Sequence, residues 1–249
     1  MSGAHDDACG CFPSGRHWPG IAHLIGSNIQ GVAREFDAQE DWAAIPVALL
    51  DVETTGREAS IDRIVELGIV IGRGGEIIAR KGWLVNPGVP IPAEATAVHH
   101  ISDADVASAP SFAEIAREVF ELLAGAIPAA YNADFDRGFL LAECARSGIA
   151  TGEGLPPALR REVDWLDPLV WARELQSGER SRTLGEVARR LGIDLENAHR
   201  ATDDAEAALR VLYAFGQDAR MPRSYGALVQ EQKRLSRAQA DARARWRRG

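Results

Sequence analysis

The stretch IPVALLDVETTG (residues 45–56) places an apolar run directly ahead of two carboxylates, Asp51 and Glu53. Residues 46–53 read as a strand that is apolar on both faces, as in a sheet covered by helices on both sides. Strand residues i and i+2 share a face, so Asp51 and Glu53 point the same way. They do so at the carboxyl end of a central strand, where ligands bind in open α/β sheets. Two ionised carboxylates ~4 Å apart repel by roughly 4 kcal/mol at an effective dielectric of 20. A buried proton, a basic partner or a cation must offset that, unless both acids are simply solvated at an exposed strand end.

Working outward, RIVELGIVIG (63–72) and EIIARKGWLV (76–85) read as two further strands. The RGG turn signal between them predicts an antiparallel hairpin. NPGVPIP (86–92) is a loop, and AEATAVHHI (93–101) a short helix. SFAEIAREVFELLAG (111–125) has an amphipathic period and a glycine stop. AIPAAYNA (126–133) reads as a strand, followed by a helix over about 134–147. REVDWLDP (161–168) suggests a fifth strand, and helices are expected at about 168–177, 183–191 and 202–216. The expectation is an α/β fold, a mixed five-stranded sheet flanked by helices, over residues 46–216. Residues 1–45 read as an N-terminal appendage, partly helical near 29–42. Residues 217–249 read as a basic C-terminal tail, one charged helix from Gly226 onward.

The chain has 249 residues, 46% hydrophobic and 26% charged, an ordinary composition for a globular protein. No apolar run approaches the ~18 residues of a membrane span. The N-terminus is polar and acidic where a secretory signal is basic and then apolar, so a cytoplasmic location is expected. Three cysteines (Cys9, Cys11, Cys144) make no disulfide framework. His5, Cys9, Cys11, His17 and His23 match no compact zinc-finger spacing, and a flexible tail is the better reading. The net charge is −8. From Gln217 to Gly249, nine Arg or Lys against three Asp or Glu leave +6, so residues 1–216 carry −14.

A second group of polar residues lies in AHRATDDAEAALRVLYAF (198–215). Counting from Asp204, positions i+4, i+7, i+8 and i+11 are Ala208, Val211, Leu212 and Phe215. Asp204 therefore sits on the apolar stripe, where an acid is costly unless it binds something. Asp203 falls on a more solvated side and suits an N-cap. His199 stands just before the helix. In YNADFDRGFLL (131–141), Asp134 fits an N-cap and Asp136 lies one turn in. Periodicity is less decisive there, and both suit the positive end of the helix dipole. Oxygen ligands from several segments, without cysteine, suit Mg²⁺ or Mn²⁺. Acids converging on paired divalent ions can clamp an in-line phosphoryl displacement. Imidazole groups titrate near neutrality and can take a proton from water. Together these make a phosphodiesterase constellation.

Three blocks resemble, in order, the motifs of the DEDDh (DnaQ-like) 3′–5′ exonucleases, which include the proofreading epsilon subunit of bacterial DNA polymerase III. LLDVETTG supplies Asp51 and Glu53, YNADFDRGFL supplies Asp136, and HRATDDA supplies His199 and Asp204. The likeness covers about residues 46–216. NPGVPIPAEATAVHHISD and RTLGEVARRLGI also read like the family's connecting segments. The resemblance implies a ribonuclease H-like fold and two Mg²⁺ or Mn²⁺ ions held by Asp51, Glu53, Asp136 and Asp204, with Asp51 bridging. It implies His199 as the general base and a 5′-mononucleotide product. Thr54, Thr55 and Gly56 would lie against the terminal sugar, Asn132 and Phe135 beside the scissile nucleotide, and Val98 and His99 against the terminal bases. Tyr131 stands where the family often has His, Trp165 where a smaller residue is common, and His100 where Gly is frequent.

The reading is a metal-dependent exonuclease acting on single-stranded or frayed 3′ ends of DNA, in proofreading or repair, with a polymerase or repair partner reached through the termini. An exoribonuclease on the same scaffold and a non-catalytic nucleic-acid or polymerase-binding subunit remain as alternatives. For the basic tail, phosphate contacts, partner docking and a plain solvated helix are equally open.

Overall fold

The computed structural model describes residues 29–152, 154–195 and 198–246. Cys9, Cys11 and the three histidines of the first 28 residues lie outside them. The chain forms a mixed four-stranded sheet in the order β3-β2-β1-β4. Central β1 (Val47–Thr54) is antiparallel to β2 (Ile64–Arg73) and parallel to β4 (Ile127–Ala129). β3 (Glu76–Leu84) forms the expected hairpin with β2. Its two-residue turn, Gly74-Gly75, has φ of +63° and +88°, which few residues other than glycine adopt.

Alternation along β1 divides the core. Val47 and Leu49 face a cluster that includes α5 (Pro168–Leu175), α6 (Leu184–Leu191), α7 (Ala201–Phe215) and α8 (Tyr225–Trp246). Ala48, Leu50 and Val52 face α3 (Phe112–Leu123) and α4 (Ala133–Arg146). Continuing the odd phase, Asp51 and Glu53 point to the α7 side. The short helices α1 (Ala93–His99) and α2 (Asp103–Val106) pack over Val65 at the carboxyl end of the sheet.

The expected fifth strand at 161–168 is reduced to two isolated parallel bridges, Leu166 to Ala129 and Val163 to Gly31. Leu166 N–H donates to Pro128 O, and Ala130 N–H donates to Leu166 O. Pro128 has no N–H to extend the ladder backward, and Pro168 ends it forward. The expected helix near 29–42 is absent too. Turns occupy the segment, with only a 3-10 turn at Trp42–Ala44. Asp37 and Asp41 accept from the N–H groups of Gln39 and Ala43, local bonds that compete with a helix. Both flanks nevertheless join the larger core, through Ala33, Trp42 and Ile45 on one side and Tyr225, Leu228, Val229 and Leu235 on the other.

α8 is anchored by one buried amide. Gln232 Oε1 accepts from Asp167 N–H at 2.8 Å and from Trp171 Nε1–H at 3.3 Å, while its Nε2 donates to Trp165 O at 2.8 Å.

The approach of α7 to the sheet depends on Gly68, which pairs with Asp51 across β1 and β2. A Cβ there would stand 2.4 Å from Ala201 C and 2.5 Å from Thr202 N. Its β3 neighbour is Gly82, where a Cβ would meet Thr202 Cγ2 at 2.7 Å. The two glycines leave a trough in which the first turn of α7 rests against the backbone of the sheet. Gly68→Ala pushes α7 outward. It is expected to cost about 1–3 kcal/mol of stability, read from urea denaturation midpoints at unchanged slope.

Candidate nuclease site

Strand β4 ends at Ala129, so the β1 edge beyond Leu49 has no strand partner on that side. Val52 N–H is therefore open, and Asp136 Oδ1 of α4 accepts it at 3.1 Å. That bond brings Asp136, which is 3% exposed, to the end of β1. α7 brings Asp204 from the other side, on the buried stripe of Ala208, Val211, Leu212 and Phe215. Ligand atoms of Glu53, His199 and Asp204 all lie within 4.8 Å of one another. Asp136, Asp204, Glu53 and Glu66 each act on Asp51 by charge, so Asp51 stands at the centre of the acids.

The electrostatic consequences follow from burial and like charge. Burial, then Asp136, Asp204 and Glu53, push Asp51 well above the usual carboxylate range. Glu53 is pushed up to about 7, chiefly by burial and then by Asp204 and Glu66, with Arg200 opposing. Burial raises Asp136 despite the Val52 hydrogen bond. Asp204 is raised by burial as well, against the N–H of His199. Without a cation, the cluster relieves its repulsion by holding protons.

His199 is exposed and adopts the left-handed region at φ 70°. Its backbone N–H donates to Asp204 Oδ2 at 3.0 Å, which ties the histidine to the acid five residues on. Glu66, directly across from Glu53 in the β1–β2 register, anchors the next residue. It is 4% exposed and accepts from Arg200 Nε at 3.2 Å on both oxygens, from Arg200 Nη2 at 2.6 Å and from Ala201 N–H at 3.1 Å. Glu66 is the one acid in RIVELGIVIG, and that is the signal the sequence offers for it. Asp167, like Glu66, is not among the expected site residues. Its carboxylate accepts from Asn132 N–H, Ala133 N–H and Leu169 N–H, capping α4 and α5 at once. An Asp before a proline at a helix start was its signal. Asp134 is accordingly exposed and makes no cap. Asp203 does not cap α7 but pairs with Arg80, because the N-cap position falls at Arg200.

The other expected contact residues differ in exposure and in partners. Thr54 and Thr55 are buried, and their hydroxyls are engaged within the turn, Thr54 donating to Gly56 O and Thr55 accepting from Arg63 N–H. A Cβ at Gly56 would stand 2.4 Å from the Asp62 carboxylate, which closes the turn on Glu58 N–H. Val98 is half exposed and His99 buried. His99 Nδ1 accepts from Ile101 N–H at 3.1 Å, leaving Nε2 without a hydrogen-bond partner. His100 is the exposed left-handed C-cap of α1. His99, His100, His199 and Arg200 are among the residues lining an open cavity of about 370 Å³. Asn132 is exposed at φ 72°, and Phe135 packs on Phe139 at 4.9 Å.

A carboxyl raised on folding stabilises the fold below its unfolded pKa and loses that contribution as pH climbs through the folded value. For Glu53 the window runs from 4.5 to about 7. The metal-free protein is therefore expected to lose thermal stability across that range. Glu53→Gln removes part of the slope, read as melting temperature against pH in the presence of chelator.

Comparison with known proteins gives a consistent result. The RNase_T family model, described as an exonuclease, matches residues 48–212. The DNA polymerase III PolC-type of Clostridium perfringens is 34% identical over 164 residues, 66% of this chain and 11% of that protein. The chain spans only about an eighth of the length of such curated relatives. Exonuclease X in complex with 5′ overhanging duplex DNA shares the fold at TM-score 0.55 and 21% identity, over 74% of this chain and 99% of that one. A 3′-exonuclease recognising the 3′ end of a histone mRNA stem-loop does so at TM-score 0.59 and 18% identity, over 73% and 66%. The family match runs from β1 to α7 and takes in every acid of the cluster; the chain belongs to the RNase_T exonuclease family.

Proposed function

We propose that the protein is a metal-dependent 3′–5′ exonuclease that removes 5′-mononucleotides from single-stranded or frayed 3′ ends of DNA. The observation that carries this is the gathering of acids from β1, α4 and α7 around Asp51 in a chain of the exonuclease family. The donor set fits divalent cations, since it is built of carboxylate oxygens whose crowding raises their proton affinity. Asp51, Glu53, Asp136 and Asp204 would hold two Mg²⁺ or Mn²⁺. When bound, such ions supply positive charge to offset the charge that develops on the phosphate and the leaving oxygen.

The chain's own residues do the rest. His199, exposed beside Asp204, accepts the proton of the attacking water. Water oxygen bonds to phosphorus, and the bond to the 3′-oxygen of the preceding nucleotide breaks. The Glu66–Arg200 pair holds the backbone beside His199, so the base does not drift from the acids. Thr54, Thr55 and Gly56 present the terminal sugar with a rigid turn, Asn132 and Phe135 flank the scissile nucleotide, and Val98 and His99 meet the terminal base. Residues 46–216 form the catalytic unit, with residues 1–45 and 217–249 as its flanks. Proofreading or repair in the cytoplasm, beside a polymerase, fits the relatives. Among the described residues no helix is long and apolar enough to cross a membrane.

The deciding experiment digests matched 5′-labelled DNA and RNA strands with Mg²⁺, Mn²⁺ or chelator. Stepwise shortening from the 3′ end of DNA, abolished by chelator, is expected; shortening of RNA alone reassigns the substrate, and no shortening ends the proposal. Asp204→Ala is expected to abolish release while the circular dichroism spectrum persists. His199→Ala slows turnover by ~10²-fold or more.

A further inference from the structure

The cluster of acids has a cationic counterpart on the α5 side of the same end of the sheet. Gln239 Nε2 of α8 donates to Val170 O of α5 at 2.9 Å. Arg243 lies one turn beyond Gln239, and Arg173 one turn beyond Val170. The two guanidinium groups are thereby brought to the same place, and Arg243 acts on Arg173 by like charge. Arg182 joins them from the loop ahead of α6, and it too acts on Arg173. The Arg182 carbonyl accepts from Tyr131 Oη–H at 2.6 Å, immediately before Asn132 and the start of α4. The arginines therefore border the junction from which Asp136 reaches the acids.

These arginines lack the partners that surface arginines elsewhere in the protein possess. Among the described residues Arg173 and Arg243 form no ion pair. Arg182 bonds only to the carbonyls of Gln176 and Ser177, and its buried Nε has no partner. The nearby Asp167 is saturated by three backbone N–H groups. Glu174, next to Arg173 in the chain, acts on Arg220 and Arg234 instead. Arg173 and Arg182 are half-buried and Arg243 is exposed, and the one carboxylate that acts on Arg173, Asp167, is already engaged with the backbone; cations so placed can take an anion from outside. Trp246 adds an aromatic ring. Gln239, Arg243 and Trp246 are spaced i, i+4, i+7, so they share one face of α8. That face continues past the end of α5, and Trp246 is 85% exposed there. Cations interleaved with an open aromatic ring suit a single strand, whose phosphates are anionic and whose bases stack.

We propose that Arg173, Arg182, Arg243 and Trp246 form a landing surface for the single strand that trails behind the 3′-terminal nucleotides, the arginines taking backbone phosphates and Trp246 stacking on a base. This rests on the reading of the acid cluster as a 3′-exonuclease site, and it gives the α8 helix a role in holding substrate. The surface serves long strands and leaves the terminal nucleotides to the residues around β1.

The test uses the full chain with a trinucleotide and with a strand of roughly 20 nucleotides, longer than the ~4–16 that a single-strand site covers. The quantity read is kcat/KM on the long strand divided by that on the short one. Arg243→Glu and Trp246→Ala are each expected to lower this ratio by roughly fivefold or more. Arg173→Gln with Arg243→Gln should reduce the slope of log KM against log salt, between about 50 and 200 mM, by about 1.4 on the long strand. Arg117→Glu, an equal charge change on α3 across the sheet, leaves the ratio unchanged. A ratio that does not move, or equal losses on both strands, overturns the proposal. Anisotropy of a labelled long strand in chelator needs no turnover. Binding that the variants weaken, in a protein that cleaves nothing, removes the exonuclease reading alone; binding and cleavage both insensitive to the variants remove the landing surface alone.

Discussion

Mutual repulsion among carboxylates at the end of β1 is the constraint on which the rest of the structure depends. Asp51 sits in the middle of the group, half-buried and surrounded by like charge. Folding brings these acids together against their own electrostatics, so the scaffold must hold them by bonds that do not involve the acids' attraction for each other. Asp136 is held by a backbone N–H that the short β4 leaves open. Asp204 is held by the apolar stripe of α7 and by the N–H of His199. Gly68 and Gly82 allow α7 to settle close enough for this to occur. Each device uses packing or a main-chain donor, and none neutralises the charge. The site therefore keeps a net negative charge that either protons or divalent cations must satisfy, and the raised proton affinity of Glu53 measures that demand.

Neutral and ion-paired polar groups carry the supporting structure around this deficit. Glu66 is satisfied by Arg200 and Ala201 N–H, and Glu143 by Arg63 at 2.7 Å. Asp167 ties two helix starts to one carboxylate. Gln232 fixes α8 to Trp165, Asp167 and Trp171, which makes the C-terminal helix part of the same unit as the site. Removing one partner from such a buried group leaves the other unsatisfied, at a cost of about 1–3 kcal/mol. Substitution at these positions therefore misplaces the site and leaves its chemistry unchanged.

Much of this was legible because it depends on local pattern. The doubly apolar β1, the Gly74-Gly75 hairpin and the stripe that singles out Asp204 each follow from periodicity or turn chemistry. The RNase_T family match likewise bears out the resemblance read from three short blocks. What failed to show depends on partners distant in sequence. The period of α4 is blurred because two of its buried positions, Asp136 and Glu143, are acids. The fifth strand reads well by composition, but Pro128 on the neighbouring strand withholds the N–H that would continue it. Asp134 and Asp203 have good cap chemistry, yet Asp167 already supplies the cap in one case and Arg80 claims the acid in the other. Glu66 was detectable as an acid in an apolar strand, but its match to Arg200 crosses 134 positions.

The charge asymmetry of the chain fits this arrangement. The acidic body concentrates negative charge where cations are needed, and that field also repels a polyanionic strand. Spreading arginines over the body would pair them with its many carboxylates, as Arg80, Arg117 and Arg189 are paired. Nearer its start, α8 is paired in the same way, Lys233 with Asp164 and Arg234 with Glu231, whereas Arg243, in the exposed last turns, forms no ion pair among the described residues. On the proposed reading, a strand would be held by its middle some distance from the acids, and only its 3′ end would enter their field. Gln232 and Gln239 fix the place of α8 against the body, so the proposed landing surface would stand apart from a cluster of carboxylates that the chain's own side chains leave unneutralised.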